Sequence, residues 1–131
     1  MTTVGTEDWS RKGDVKLFLW RKPPPSGAAK GTVFFVHGSS MASQPTFDLK
    51  VPGRPDSSVM DWFAARGFDT WCMDHEGNGR SDKSRAINCD IANGADDLEA
   101  GTAYVLEHSS HKKLLMYGIS SGALRAAART K

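Results

Sequence analysis

Two cysteines, Cys72 and Cys89, are all that this chain has. They lack the CxxC spacing of a zinc site and are too few for a disulfide framework. A single Cys72–Cys89 bridge is the most they allow, and nothing else in the chain favours an oxidising compartment. No run approaches the roughly 18 apolar residues of a spanning helix. The opening segment, Met1 to Asp14, has no apolar core of a secretory leader. Charge of one sign is also missing. Against 17 basic residues stand 15 acidic ones, a formal charge of +2, and no Lys/Arg block interrupts the chain. That balance speaks against a nucleic-acid or membrane partner. There is no internal repeat and no low-complexity tract. These absences lead to the expectation of a soluble, cytoplasmic protein, with residues 1–131 forming a single domain.

What is present is a set of short apolar runs punctuated by glycine. Val15 to Trp20 reads as a strand, paired with an earlier one near Thr6–Ser10, and Pro23-Pro24-Pro25 breaks it. Gly31 to Gly38 is a β-branched and aromatic run bounded by glycines, as in a strand buried on both faces. Phe68 to Met73 and Lys113 to Tyr117 read as two further buried strands. Ser39 to Asp56, with Pro45, Pro52 and Pro55, reads as a long polar loop. Ser58 and Asp61 fit a capping box for a helix carrying Val59, Trp62, Phe63 and Arg66, stopped by Gly67. Asn93 reads as the cap of a second helix, with Asp96 and Asp97 in its first turn and Leu98, Thr102, Val105 and Leu106 on its apolar face. Ala123 onward is helical by propensity. Strands alternating with helices predict an α/β fold, a mostly parallel sheet with flanking helices.

Gly118-Ile119-Ser120-Ser121-Gly122 joins the last strand to the last helix. A serine at so tight a turn sits in a strained backbone, and glycines two residues before and after it remove collisions with neighbouring elements. This is the G-x-S-x-G nucleophile-elbow pattern, in the strand–turn–helix context it requires. A Gly/Ser turn cradling a phosphate is the plainer alternative. His37-Gly38-Ser39-Ser40 ends the first buried strand. A sharp turn there aims backbone N–H groups into the cleft, and acyl transfer needs two such donors for the developing oxyanion. The N–H groups of Ser39 and Ser121 are the candidates. Asp74-His75-Glu76-Gly77-Asn78-Gly79-Arg80-Ser81 closes the second buried strand. Its carboxylates are common in such turns and do not by themselves imply a metal, and Asp82 stands where a dinucleotide fingerprint needs glycine.

Together, His37-Gly38-Ser39, Asp74-x-x-Gly77-x-Gly79-x-Ser81 and Gly118-x-Ser120-x-Gly122 resemble the α/β-hydrolase superfamily, in order and spacing, from about Thr6 to Ala127. The resemblance implies Ser120 as nucleophile and the Ser39 and Ser121 N–H groups as oxyanion donors. It also implies Gly118 and Gly122 as elbow glycines, and His37 and Gly38 as the oxyanion turn. It implies a small ester-like substrate and no cofactor. A serine nucleophile argues against the aspartate-using dehalogenase branch. The resemblance also places the acid and the catalytic histidine after further strands, beyond the few residues that follow Gly122. The expectation is therefore an amino-terminal half of the fold, without a general base. The rivals are a catalytically inactive binding module and a disrupted reading frame. In the superfamily's strand order the last strand here, Leu114–Tyr117, becomes an exposed edge that is open to self-association.

Overall fold

The computed structural model describes residues 3–85, 87 and 89–130. Five strands form one sheet: β1 (Thr6–Lys12), β2 (Val15–Lys22), β3 (Gly31–Val36), β4 (Phe68–Met73) and β5 (Leu115–Gly118), in the order β1-β2-β4-β3-β5. β1 and β2 are a hairpin whose closing pair is Lys12 and Val15. Gly13 sits in the two-residue turn at φ +60°, the left-handed geometry such hairpins require. β2 runs antiparallel to β4, and β4, β3 and β5 run parallel. The sheet is thus mixed, with the parallel part carrying the loops of interest. Those parallel connections bring the carboxyl ends of β3 and β5 side by side.

The continuous apolar character of β3 and β4 follows from burial on both faces. Phe34, Val36, Trp71 and Met73 point to one side. There they pack with Leu17 and Leu19 against Leu98 and Val105 of α3 (Ile91–His108) and Ala126 of α4 (Ser121–Arg129). Val33, Phe35 and Cys72 point to the other, against Phe47 of α1 (Ser43–Phe47) and Met60 of α2 (Val59–Ala65). Helices therefore cover both faces, as the alternation of elements predicts.

Four local expectations change. The segment Ser39 to Asp56 is not one long loop: it contains α1 and an isolated bridge between Val51 and Arg54. α1 has no side-chain cap, and Pro45 lies in its first turn, where a missing N–H costs nothing. Asp48 then ties the segment down, accepting from Trp20 Nε1, Lys22 Nζ and Ser58 Oγ at 2.9, 2.8 and 2.6 Å. Secondly, Asp90 and not Asn93 caps α3, its carboxylate accepting from Asn93 N–H at 2.8 Å. Asp96 and Asp97 accordingly lie beyond the first turn, and Asp97 is buried. Thirdly, α2 is capped by Ser58 as expected but buries Met60 and Ala64, leaving Val59 and Trp62 partly exposed. Finally, β5 is not a buried strand. Among the described residues it pairs only with β3, and Leu115 and Tyr117 are 64% and 57% exposed. That is the edge position the superfamily's strand order implies. Both cysteines are free.

Candidate active site

The site lies where β3 and β5 end. After β5 the chain reverses through Ile119 and Ser120 into α4. Ile119 N–H donates to Val36 C=O at 3.1 Å, which fastens the turn to the end of β3. Ser120 has φ 57° and ψ −130°, a conformation L residues rarely hold and one that stores strain. Two turn hydrogen bonds impose it, Gly122 N–H to Ile119 C=O at 2.9 Å and Ala123 N–H to Ser120 C=O at 3.0 Å. The hydroxyl-bearing residue is exposed.

The neighbouring glycines are required by contact. A Cβ at Gly118 would stand 2.6 Å from the Ala123 backbone, and one at Gly122 would stand 2.4 Å from Val36 O. Gly38 belongs to the same packing, since a Cβ there would come within 2.9 Å of Ser120 Cβ and 3.1 Å of Ile119 O. The turn after β3 and the turn after β5 are therefore in direct contact. Ser39 and Ser121 join their side chains across it, Oγ to Oγ at 2.8 Å. Among the described residues, neither the Ser39 nor the Ser121 N–H donates to a protein backbone acceptor.

His37 is fully buried beneath this pair of turns. Its Nε2 accepts from the His75 backbone N–H at 3.0 Å, so Nδ1 carries the proton and donates to Gly38 C=O at 2.7 Å. Burial, followed by the neighbouring His75, pushes its pKa down to about 4. A neutral imidazole with both nitrogens engaged braces the turn and exchanges no proton with Ser120. His75 is also buried, its ring edge-on to His37 with centroids 4.6 Å apart and Nδ1 3.2 Å from Asp97 Oδ2. His108 Nδ1 lies 2.9 Å from Tyr104 O, and His111 Nδ1 lies 3.1 Å from Thr32 Oγ1 at the opposite end of β3. Among the described residues no histidine is hydrogen-bonded to Ser120.

The acidic turn after β4 is a scaffold. Asp74 accepts from Ser43 N–H, Ser43 Oγ and Arg80 N–H at 2.7, 2.8 and 2.9 Å. Glu76 and Asp97 are buried around Lys12, whose Nζ lies 2.7 and 2.6 Å from them. Arg85 grips Glu76 with two 2.7 Å bonds, and chiefly this holds its carboxyl at about 2. Sequence reasoning missed this cluster, because Lys12, Glu76 and Asp97 come from three elements far apart in the chain. It also missed Arg125, which donates to Ser121 Oγ from one helical turn further on. The only sequence signal for that contact was the four-residue spacing.

These two groups set an acid limit. Between about pH 6.5 and 4, the unfolded chain protonates residue 37 while the folded chain resists. Both groups have depressed folded values, so each contributes stability at higher pH that is lost on acidification. For Glu76 the window runs from 4.5 down to about 2. The thermal midpoint, followed by circular dichroism, is expected to fall in two stages through these windows. A midpoint unchanged between pH 6.5 and 4 would contradict the account of His37.

The family described as serine aminopeptidase, S33, matches residues 27–130. The chain belongs to that family. Solved structures agree on the fold of this S33 chain. A CIB-like hydrolase from Thermoplasma acidophilum is 17% identical, with a TM-score of 0.68, over 98% of this chain and 56% of its own. An esterase from Pyrococcus furiosus is 21% identical, with a TM-score of 0.73, over 96% and 46%. A laboratory-evolved potato epoxide hydrolase is 16% identical, with a TM-score of 0.72, over 96% and 35%. The fold is that of the amino-terminal part of an α/β-hydrolase, and the chain spans about half or less of the length of these proteins. No curated protein sequence matches it significantly.

Proposed function

We propose that this S33 chain carries the nucleophile and the oxyanion donors of a serine hydrolase acting on esters or related acyl bonds. The observation that supports this most directly is the strained, exposed Ser120 at the strand-to-helix turn, at φ 57°. Strain held this firmly at an exposed hydroxyl is characteristic of a functional site. In the proposed reaction Ser120 Oγ attacks the acyl carbon and the alcohol leaves with a proton. Water then releases the acid and restores the serine. The Ser39 and Ser121 N–H groups receive the oxyanion. Covalent labelling by a fluorophosphonate, with the adduct located by mass spectrometry, tests the assignment. In a full-length relative that carries this elbow together with the acid and the histidine, an adduct on the peptide matching Ser120 is expected, and one confined to other serines would overturn the assignment.

One observation favours a second reading. No described histidine is hydrogen-bonded to Ser120, so these residues supply a nucleophile without a base. Serine unassisted is a poor nucleophile, and what remains is binding and oxyanion stabilisation. The purified 131 residues are therefore expected to hydrolyse activated esters only slowly, about a thousandfold or more below a complete triad. Turnover at ordinary enzyme rates would exclude the inactive-module reading and make His75, which follows β4, a candidate base to be tested with His75→Ala.

β5 is the proposed contact between copies. Its outer edge has no partner strand among the described residues, and Leu115 and Tyr117 stand beside it. Such an edge is a template for a second β5. Size exclusion with light scattering should find association at tens of micromolar, and a clean monomer there would count against it.

A further inference from the structure

We propose that the Ser39 and Ser121 hydroxyls, backed by the buried guanidinium of Arg125, form a side-chain donor to the substrate oxyanion, in addition to the backbone N–H groups. The inference rests on Ser120 being the nucleophile.

It begins with Arg125. Its side chain is buried, the residue being 4% exposed, and it runs against Gly94 of α3, where a Cβ would stand 2.2 Å from Arg125 Cδ. Nη1 donates to Ser121 Oγ and Nη2 to Cys89 C=O, each at 2.9 Å, while buried Nε has no partner. Among the described residues no carboxylate pairs with it. A buried cation without a counter-ion is costly, and an anion forming nearby offsets that cost. The amino end of α4, with its own partial positive charge, points the same way.

Proton counting then fixes what the serines offer. A guanidinium only donates, so it occupies a lone pair of Ser121 Oγ and supplies no acceptor. The two hydroxyls carry two protons. Their mutual 2.8 Å bond uses one of them. Among the described residues the other has no acceptor, and the pair lies at the surface between the two turns. One O–H, polarised by the charge behind it, thus remains available beside Ser120. A donor backed by charge makes a stronger bond to an oxyanion than a neutral one. Arg125 is the positioning residue in this arrangement, since it acts through Ser121. A plain structural lock between the turns would need no spare proton and no charge.

Phenylboronic acid separates the two at equilibrium, so no base is needed. Boron accepts the Ser120 Oγ lone pair, the serine proton goes to solvent, and an anionic tetrahedral boronate results. Boron-11 NMR of the full chain reads both its affinity and the pH at which the bound boron becomes tetrahedral. The wild-type chain should form the adduct and Ser120→Ala should not. Ser39→Ala combined with Ser121→Ala should weaken the adduct about tenfold and raise that pH by about one unit. Ser39 is exposed, whereas Ser121→Ala also removes the acceptor of the buried Arg125 Nη1, so the thermal midpoint of the double variant should fall and the titrations are run well below it. Ser121→Thr should retain most of the affinity, because the hydroxyl is kept. Arg125→Met should weaken the adduct and Arg125→Lys should largely restore it. If the double alanine variant matches wild type in affinity and pH, the side-chain donor is wrong while Ser120 stands. If no adduct forms, or if it persists in Ser120→Ala, the nucleophile assignment fails and the inference with it.

Discussion

In a full-length relative that carries this elbow with the acid and the histidine, the change matching Ser120→Ala is expected to abolish fluorophosphonate labelling of that peptide while leaving the fold intact. The reagent loses fluoride when the serine oxygen attacks phosphorus and the serine proton leaves. Without that oxygen no bond forms at this position, so the signal should fall at least about a hundredfold, to background. Stability should change little, within about 0.5 kcal/mol, because the residue is exposed and no described group hydrogen-bonds its hydroxyl. Alanine meets the same backbone strain at φ 57° as serine, so that cost cancels. Neighbouring serines provide the internal control. The Ser39 and Ser121 hydroxyls are bonded to each other, and neither occupies the strained position at the head of α4. Labelling that survives at the wild-type rate would show that the exposed hydroxyl at the elbow is not the reactive group.

The legible and illegible parts of this molecule divide by the range of the interactions involved. Gly118, Ser120 and Gly122 could be read because each glycine answers a backbone collision set by the turn itself. β3 and β4 could be read because burial on both faces writes an unbroken apolar run. The strand order and the edge position of β5 came through resemblance to a superfamily, since pairing order leaves no trace in periodicity. β5 misled for the same reason. Leu114-Leu115-Met116-Tyr117 has the composition of a buried strand, and its place at the edge of the sheet exposes Leu115 and Tyr117. Asp90, three residues before Asn93, is as good a capping residue by type, and capping preference alone does not separate the two. α1 lacked a cap and held a proline, so local rules argued against it. Phe47 packing on Phe35, with centroids 5.1 Å apart, is a tertiary reason for it. The Lys12–Glu76–Asp97 cluster and the Arg125–Ser121–Ser39 chain join residues from different elements, and no window along the sequence contains them.

Gly122→Ala should be among the most damaging single-methyl changes available to this chain. The new Cβ would stand 2.4 Å from Val36 O, 2.5 Å from His37 O and 2.9 Å from His37 C. All three are backbone atoms: Val36 is fixed at the end of β3 by pairing to Met73 and Gly118, and His37 follows it directly, so none can swing aside as a side chain would. Relief requires α4 to move off the sheet, which separates the elbow from the turn at Gly38. Overpacking in a core typically costs 1–3 kcal/mol, and a clash with fixed backbone belongs at the upper end, about 3 kcal/mol or more. Against a total stability of roughly 5–15 kcal/mol, that lowers the melting temperature by about 10 °C or more. Gly94→Ala is the informative comparison. Its Cβ would come even closer to a neighbour, 2.2 Å, but the neighbour is the Arg125 side chain, which has other rotamers. Gly94 also lies inside α3, where alanine is favoured by about 1 kcal/mol. The expected order is therefore a large loss at 122 and a smaller net change at 94, measured by thermal or urea unfolding. At 122, phosphonate labelling of such a full-length relative should fall together with stability, because one contact holds both the helix and the proposed nucleophile in place. A Gly122→Ala chain that melts like wild type would mean that β3 and α4 are not packed as closely as the Val36 and His37 carbonyls require.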